Sequence, residues 1–283
     1  MRITCLVENA LEGPTMEAPP GLEPRHGLSL HIETGGRTLL FDMGPDHTLL
    51  GNAKTLGLDL ARVDTAILSH GHIDHGGGIV AFQAENKDAA IYMSPEAVSP
   101  CTVKMLGFTA KEIGVDNIGI DTSRIIPVPA DTKLSDHLEL FRDFGSDGFI
   151  PKSNRLLYRR TSDNQMARDD FSHELALLVR ENGRTALFTG CSHSGVGNMI
   201  RTVLNRTGLS HIDYVIGGFH LCNPITGLSE SQSRLDDLVK ELSGLNRTRF
   251  YSGHCTGLNA YVFLKNNLGE RISRIRTGLR LDI

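Results

Sequence analysis

Apolar residues fall in short blocks separated by glycine, asparagine and proline, and these blocks set the plan of elements. Residues 2–7 (RITCLV), 28–33 (LSLHIE) and 38–42 (TLLFD) read as strands, the third ending at Gly44-Pro45. Residues 46–58 read as a helix and 63–69 (VDTAILS) as a short buried strand. Further strands are expected at 90–93 (AIYM), 125–128 (IIPV) and 138–141 (LELF), with helical stretches between some of them, near 95–113. Two strands at 174–180 (ELALLVR) and 185–190 (TALFTG) flank Glu181-Asn182-Gly183, a hairpin signal. A helix at 194–207, a strand at 212–217 (IDYVIG), an amphipathic helix at 229–244, a strand at 248–252 (TRFYS) and a helix at 257–268 follow.

Residues 142–172 differ. They are rich in Gly, Ser, Asp, Asn and Arg and have weak periodicity, so this length without structure predicts a functional lid or insertion, or disorder. Strands elsewhere alternate with helices, and neither a Pro/Ser linker nor a repeat divides the chain. The expectation is one α/β domain over 1–283, a sandwich of sheets and helices.

Composition narrows the classes. The chain has 283 residues, 40% hydrophobic and 22% charged, which suffices for a large core. Its net charge of -4 argues against a general nucleic-acid binder. The first residues, MRITCLVENALEG, have an apolar run broken by Glu8 and Asn9, so neither a signal peptide nor a membrane span is expected. Five scattered cysteines without a CxxC pair favour a reducing, cytoplasmic setting.

The chemistry concentrates in 67-ILSHGHIDHGGGIV-80, where three histidines and an aspartate occur within six residues at a strand end. Residues two apart in extended backbone point to one side, so His70 and His72 can reach one ion, and Asp74 and His75 a second. Imidazole and carboxylate together suit zinc, iron and related ions. Packing four such groups without a cation would leave them poorly satisfied.

S-H-G-H-I-D-H-G-G-G resembles the H-x-H-x-D-H signature of the metallo-β-lactamase superfamily. Upstream LLFDMG resembles that superfamily's acidic strand end, with Asp42 in support. The blocks 26-HGLSLHIE-33, 188-FTGCSHSGVGNMI-200, 216-IGGFHLCNP-224 and 252-SGHCTG-257 resemble one branch in particular. It is the branch labelled 7,8-dihydropterin-6-yl-methyl-4-(β-D-ribofuranosyl)aminobenzene-5′-phosphate synthase.

The resemblance implies a four-layer αβ/βα sandwich holding two divalent metal ions, zinc foremost, with iron or manganese as alternatives. His70, His72 and a third histidine would hold the first ion, and Asp74, His75 and His254 the second. The third histidine is His193 in GCSH, or else His173 in FSHELALL, which otherwise reads as a solvated histidine at a strand start. Where many members carry a bridging aspartate in T-G-D, this chain has T-G-C, so Cys191 is either a thiolate ligand or a small buried residue. His220 would donate a proton, contact substrate or orient a ligand, and Asp74 would both ligate and hold the nucleophile's proton. His26 reads as structural or as orienting a ligand, with Arg25 where the branch carries an acid.

The implied reaction is hydrolysis by metal-activated water of a small polar or phosphorylated, pterin-type substrate. Lys152, Arg155, Arg159, Arg160 and Arg168, with Phe144, Phe149 and Tyr158, would suit a lid over an aromatic anion, although five aspartates in the same segment equally suit a solvated loop. Thioesterase or lactonase activity, or metal binding without turnover, are the alternatives. A small-molecule substrate is expected, with neither nucleic acid nor membrane as partner.

Overall fold

In the computed structural model, residues 1–10, 20–105, 108–115, 119–223 and 225–283 are described. Parts of three expectations lie outside them: residues 11–13 of the N-terminal reading, 106–107 of the stretch near 95–113, and Pro224 of the IGGFHLCNP block. Among the described residues no helix is long and apolar enough to cross a membrane.

The chain forms two compact units. The first comprises Met1–Pro129, Leu156–His173 and Arg276–Ile283. Its main sheet has seven strands in the order Arg280–Asp282, Arg2–Val7, Ser29–Thr34, Arg37–Phe41, Thr65–Ile67, Ala90–Met93 and Ile125–Pro127. The first pairings are antiparallel; from Arg37–Phe41 onward they are parallel. Helices α1 (Thr48–Thr55), α2 (Ile73–Gly76) and α3 (Ile79–Glu85) follow strand ends. Leu49 and Ala53 of α1 and Ile79 and Phe82 of α3 join Leu6, Leu40, Ala66, Leu68 and Ile91 in one core. Removing any of these larger side chains would cost about 2–5 kcal/mol.

A four-stranded sheet in this unit departs from expectation. The stretch near 95–113 holds a single turn at Pro95–Val98 and then two strands, Cys101–Met105 and Phe108–Glu112, instead of helix. They pair with Leu157–Arg160, which pairs in turn with Met166–Arg168. The weakly periodic segment 142–172 is therefore not structureless. Its latter part is a hairpin of the first unit, and its earlier part, through Arg155, belongs to the second.

The second unit comprises Ala130–Arg155 and Glu174–Ile275. Its sheet runs Ile272–Arg274, Arg249–Ser252, Tyr214–Gly217, Arg184–Phe188, Ala176–Glu181, Leu138–Phe141, Thr132–Lys133. Arg184–Phe188, Tyr214–Gly217 and Arg249–Ser252 are parallel neighbours, so their C-terminal ends lie side by side. Helices α4 (Val196–Thr207), α5 (Gln232–Ser243) and α6 (Leu258–Leu268) cover this sheet. On α4, Val196, Met199, Ile200 and Val203 are buried at positions i, i+3, i+4 and i+7, one helical face. The helix ends at Gly208, whose left-handed backbone suits a C-terminal cap.

Candidate metal centre

In the first unit, the strand Thr65–Ile67 delivers Leu68 and Ser69 to the sheet's end, and the chain turns there through 70-HGHIDH-75. His70, His72 and His75 are 0%, 4% and 0% exposed. The His70 ring centroid lies 4.6 Å from that of His72 and 4.2 Å from that of His75. The structure thus brings three of the expected ligands into one buried cluster. Asp74 stands at its edge, 3.4 Å from the exposed His26 ring. Gly71 is required here, because a Cβ would meet the backbone oxygen of Ala97 at 2.2 Å.

Asp42 organises two of the rings. Its Oδ1 accepts the Ser69 N–H at 2.7 Å, and its Oδ2 accepts the Ser69 hydroxyl at 2.8 Å and His75 Nδ1–H at 2.6 Å. Having donated its proton, the Ser69 hydroxyl accepts His70 Nδ1–H at 2.8 Å. One carboxylate thereby sets the tautomer of both imidazoles and leaves each Nε2 with its lone pair, the arrangement a metal ligand needs. Asp42 has a left-handed backbone, φ 61°, a conformation that tight surroundings must hold in place. Burial, reinforced by the neighbouring His75, His72 and His173, pushes the His70 pKa well below its ordinary value and keeps the ring neutral.

Asp169, which no motif reading singled out, lies beneath His72. Its Oδ2 is 3.8 Å from His72 Nε2 and 3.0 Å from His173 Nε2. Cys101 Sγ is 3.9 Å away, and the Phe171 N–H donates to Oδ1 at 2.8 Å. Burial opposes ionisation of Asp169, yet His173 and His72 outweigh it and hold the carboxyl far below the usual carboxylate range. Burial pushes the His72 pKa down, but the nearby Asp169 carboxylate and Cys101 raise it on balance.

His173 is fully buried, which corrects its reading as a solvated residue at a strand start. Its Nδ1 accepts the Gly71 N–H at 3.0 Å while its Nε2–H donates to Asp169. Both ring nitrogens are spent within the protein. The residue acts as a brace under the histidine turn.

In the second unit, three loops leave the parallel strand ends. The first, 189-TGCSH-193, follows Arg184–Phe188 and carries Cys191 and His193, 2% and 1% exposed. Glu174 accepts the N–H groups of His193 and Ser194 at 2.5 and 2.8 Å. Asn154 clasps His193, its Nδ2 donating to the backbone oxygen and its Oδ1 accepting from the ring Nδ1 at 3.1 Å. His193 Nε2 is thereby left as the ligating nitrogen, the same solution Asp42 gives His70 and His75.

The second loop carries His220, 4% exposed, with its ring centroid 4.1 Å from that of His193. The third carries His254, also 4% exposed. His220 and His254 are left-handed, φ 48° and 51°. Such backbone costs of order 1–3 kcal/mol in a non-glycine residue and concentrates at functional sites. The structure thus places His70, His72, Asp74 and His75 in the first unit, and Cys191, His193, His220 and His254 in the second.

Two of the basic residues of the 142–172 segment are engaged within it. Arg159 makes a two-pronged pair with Asp170, both contacts 2.8 Å, and Arg160 reaches Asn164 at 2.9 Å. Arg234 covers the Phe149 ring at 4.7 Å.

Residues 22–152 match the family described as the metallo-β-lactamase superfamily. The chain is 24% identical to Tm1679, a metal-dependent hydrolase of the β-lactamase superfamily, with a TM-score of 0.81, covering 100% of this chain and 99% of that one. Zn(2+)-bound PqqB from Methylobacterium extorquens shares the fold at 13% identity and a TM-score of 0.55, with both chains covered in full. Residues 22–152 thus resemble the metallo-β-lactamase superfamily, and the chain shares the α/β fold of these solved structures. Among curated proteins it is similar to the 7,8-dihydropterin-6-methyl-4-(beta-D-ribofuranosyl)-aminobenzene-5'-phosphate synthase of Methanocaldococcus jannaschii. The two are 27% identical over 272 residues, 90% of this chain and 88% of the relative.

Proposed function

We propose that the protein is a dinuclear metal-dependent hydrolase acting on a small polar or phosphorylated, pterin-type substrate. The observation that carries this reading is the tautomer control at His70 and His75. A carboxylate spends both Nδ1–H groups, directly or through Ser69, and leaves the two buried rings to ligate through Nε2. Such donors fit zinc and iron(II) well. The ligands of this reading are His70, His72, Asp74, His75, Cys191, His193 and His254. Its choice of His193 over His173 is supported by Asn154 on one ring and by the spent nitrogens of the other.

Bound there, divalent ions would supply a Lewis acid and an activated water at neutral pH. Asp42 and Asn154 would hold the imidazoles in ligating tautomers. Asp74, partly exposed, would take up the proton released by the attacking water, and His220 would return a proton to the leaving group. The similarity to the methanogen synthase favours a pterin-type substrate. The protein would work in the cytoplasm on a small molecule, without a nucleic-acid or membrane partner.

The test is to assay zinc-, iron- and manganese-loaded protein against dihydropterin phosphates, phosphodiesters, and thioesters and lactones. Turnover confined to the pterin class is the expected result. Turnover confined to thioesters or lactones would replace the substrate assignment. Stoichiometric metal with no turnover on any class would make the chain a metal-binding protein of the same fold.

A further inference from the structure

We infer that Cys191, His220 and Cys255 form a thiol-rich donor set, with Cys255 as a metal ligand in its own right and His220 ligating instead of donating a proton, selecting a soft or borderline ion such as zinc or iron(II). The inference rests on the metal-loaded reading above and deepens it. It concerns a cysteine that the superfamily pattern leaves without a role.

The three residues come from the loops after three adjacent parallel strands, Arg184–Phe188, Tyr214–Gly217 and Arg249–Ser252. Ligands bind characteristically outside the carboxyl ends of such strands. All three side chains are buried, and their donor atoms lie within 4.8 Å of one another. Zinc–sulfur and zinc–nitrogen bonds of about 2.3 and 2.0 Å place tetrahedral donors about 3.5–4 Å apart. The set is thus already close to the spacing that one ion demands, and small side-chain rotations complete it.

Two features single out the Cys255 sulfur. The backbone N–H of His220 donates to Sγ at 3.3 Å, which fixes the sulfur beside the His220 loop. A Cβ on Gly218 would stand 2.4 Å from the same sulfur, so the glycine makes the space that Sγ occupies. The loops around it are fastened independently. Phe219 N–H donates to Thr256 Oγ1 at 2.9 Å, and Cys222 N–H donates to Cys255 O at 3.0 Å. Cys222 itself is different, since its Sγ contacts Gly227 O at 3.5 Å within its own loop.

The experiment is cobalt(II) substitution of the full chain, reading bound metal by elemental analysis and thiolate ligation by the sulfur-to-cobalt charge-transfer band. The wild type should take up cobalt and show the band. Cys255→Ser and Cys191→Ser should each remove about half of its intensity, as one of two thiolates is lost. Cys222→Ser should leave it unchanged. Cobalt uptake without the band, or a band that survives Cys255→Ser undiminished, would overturn the inference while leaving the hydrolase reading intact. No cobalt uptake at all would overturn both. The wild-type spectrum decides whether thiolate binds even if a serine variant fails to fold.

Discussion

His173 Nε2 lies 3.0 Å from the Asp169 carboxylate while its Nδ1 receives the Gly71 N–H, so two residues just past the 157–168 hairpin brace the turn that carries the histidine motif. His173→Ala should therefore lower thermal stability but leave about two metal equivalents bound, whereas His193→Ala should lose metal. Elemental analysis with thermal denaturation of both variants distinguishes a brace from a ligand. Equal metal loss in the two would overturn the assignment.

Asp169→Asn leaves imidazoles beside a neutral amide in a buried site. Breaking a buried charged pair costs about 3–5 kcal/mol. Chemical denaturation should show a loss of that order, without a change in the secondary-structure spectrum. A variant as stable as wild type would mean that the carboxylate is not the keystone its contacts imply.

Asn154→Ala removes the acceptor on His193 Nδ1 and the donor to His193 O. Loss of such an orienting partner typically weakens metal binding about 10–100-fold. Competition with a chromophoric chelator should register a shift in that range. His72→Ala should go further and abolish most metal and activity.

Acid should destabilise the chelated protein. His70 has a depressed pKa in the fold, so the unfolded chain binds more protons below about pH 6.5 and stability falls with pH. His72 is raised and acts in the opposite sense, contributing stability at low pH that is lost as pH rises. At His70 burial and three neighbouring imidazoles act together, whereas at His72 burial opposes the contacts that raise it, so melting temperature should drop as pH falls below about 6.5. Asp169→Asn, which removes the carboxylate that raises His72, should steepen that drop. Asp169 adds a further loss below about pH 4, where the unfolded carboxyl begins to take up protons.

Much of the fold was legible because its strands are short apolar blocks with turn residues at their ends. The motif histidines were legible because local spacing alone makes 70-HGHIDH-75 unusual. Asp169 and His173 were not, because their meaning depends on pairing between Leu157–Arg160 and Cys101–Met105, more than fifty residues apart. The stretch 101–104 does alternate apolar and polar residues, Cys-Thr-Val-Lys, a period of two that predicts strand over helix. The hairpin at 157–168 is rich in arginine and polar residues, so hydrophobic periodicity could not reveal it. Asn154 falls in the same polar stretch and carries no motif.

The tautomer locks at His70 and His75 have a consequence for the stoichiometry of loading. The His70 ring already presents neutral nitrogen, so a metal ion arriving near pH 7 displaces no proton from it. Protons that uptake releases would come from His72, whose pKa is raised, from thiols or from water. Titration calorimetry in buffers of different ionisation enthalpy would count those protons, and a count unchanged by Cys191→Ser and Cys255→Ser would exclude the thiols as their source.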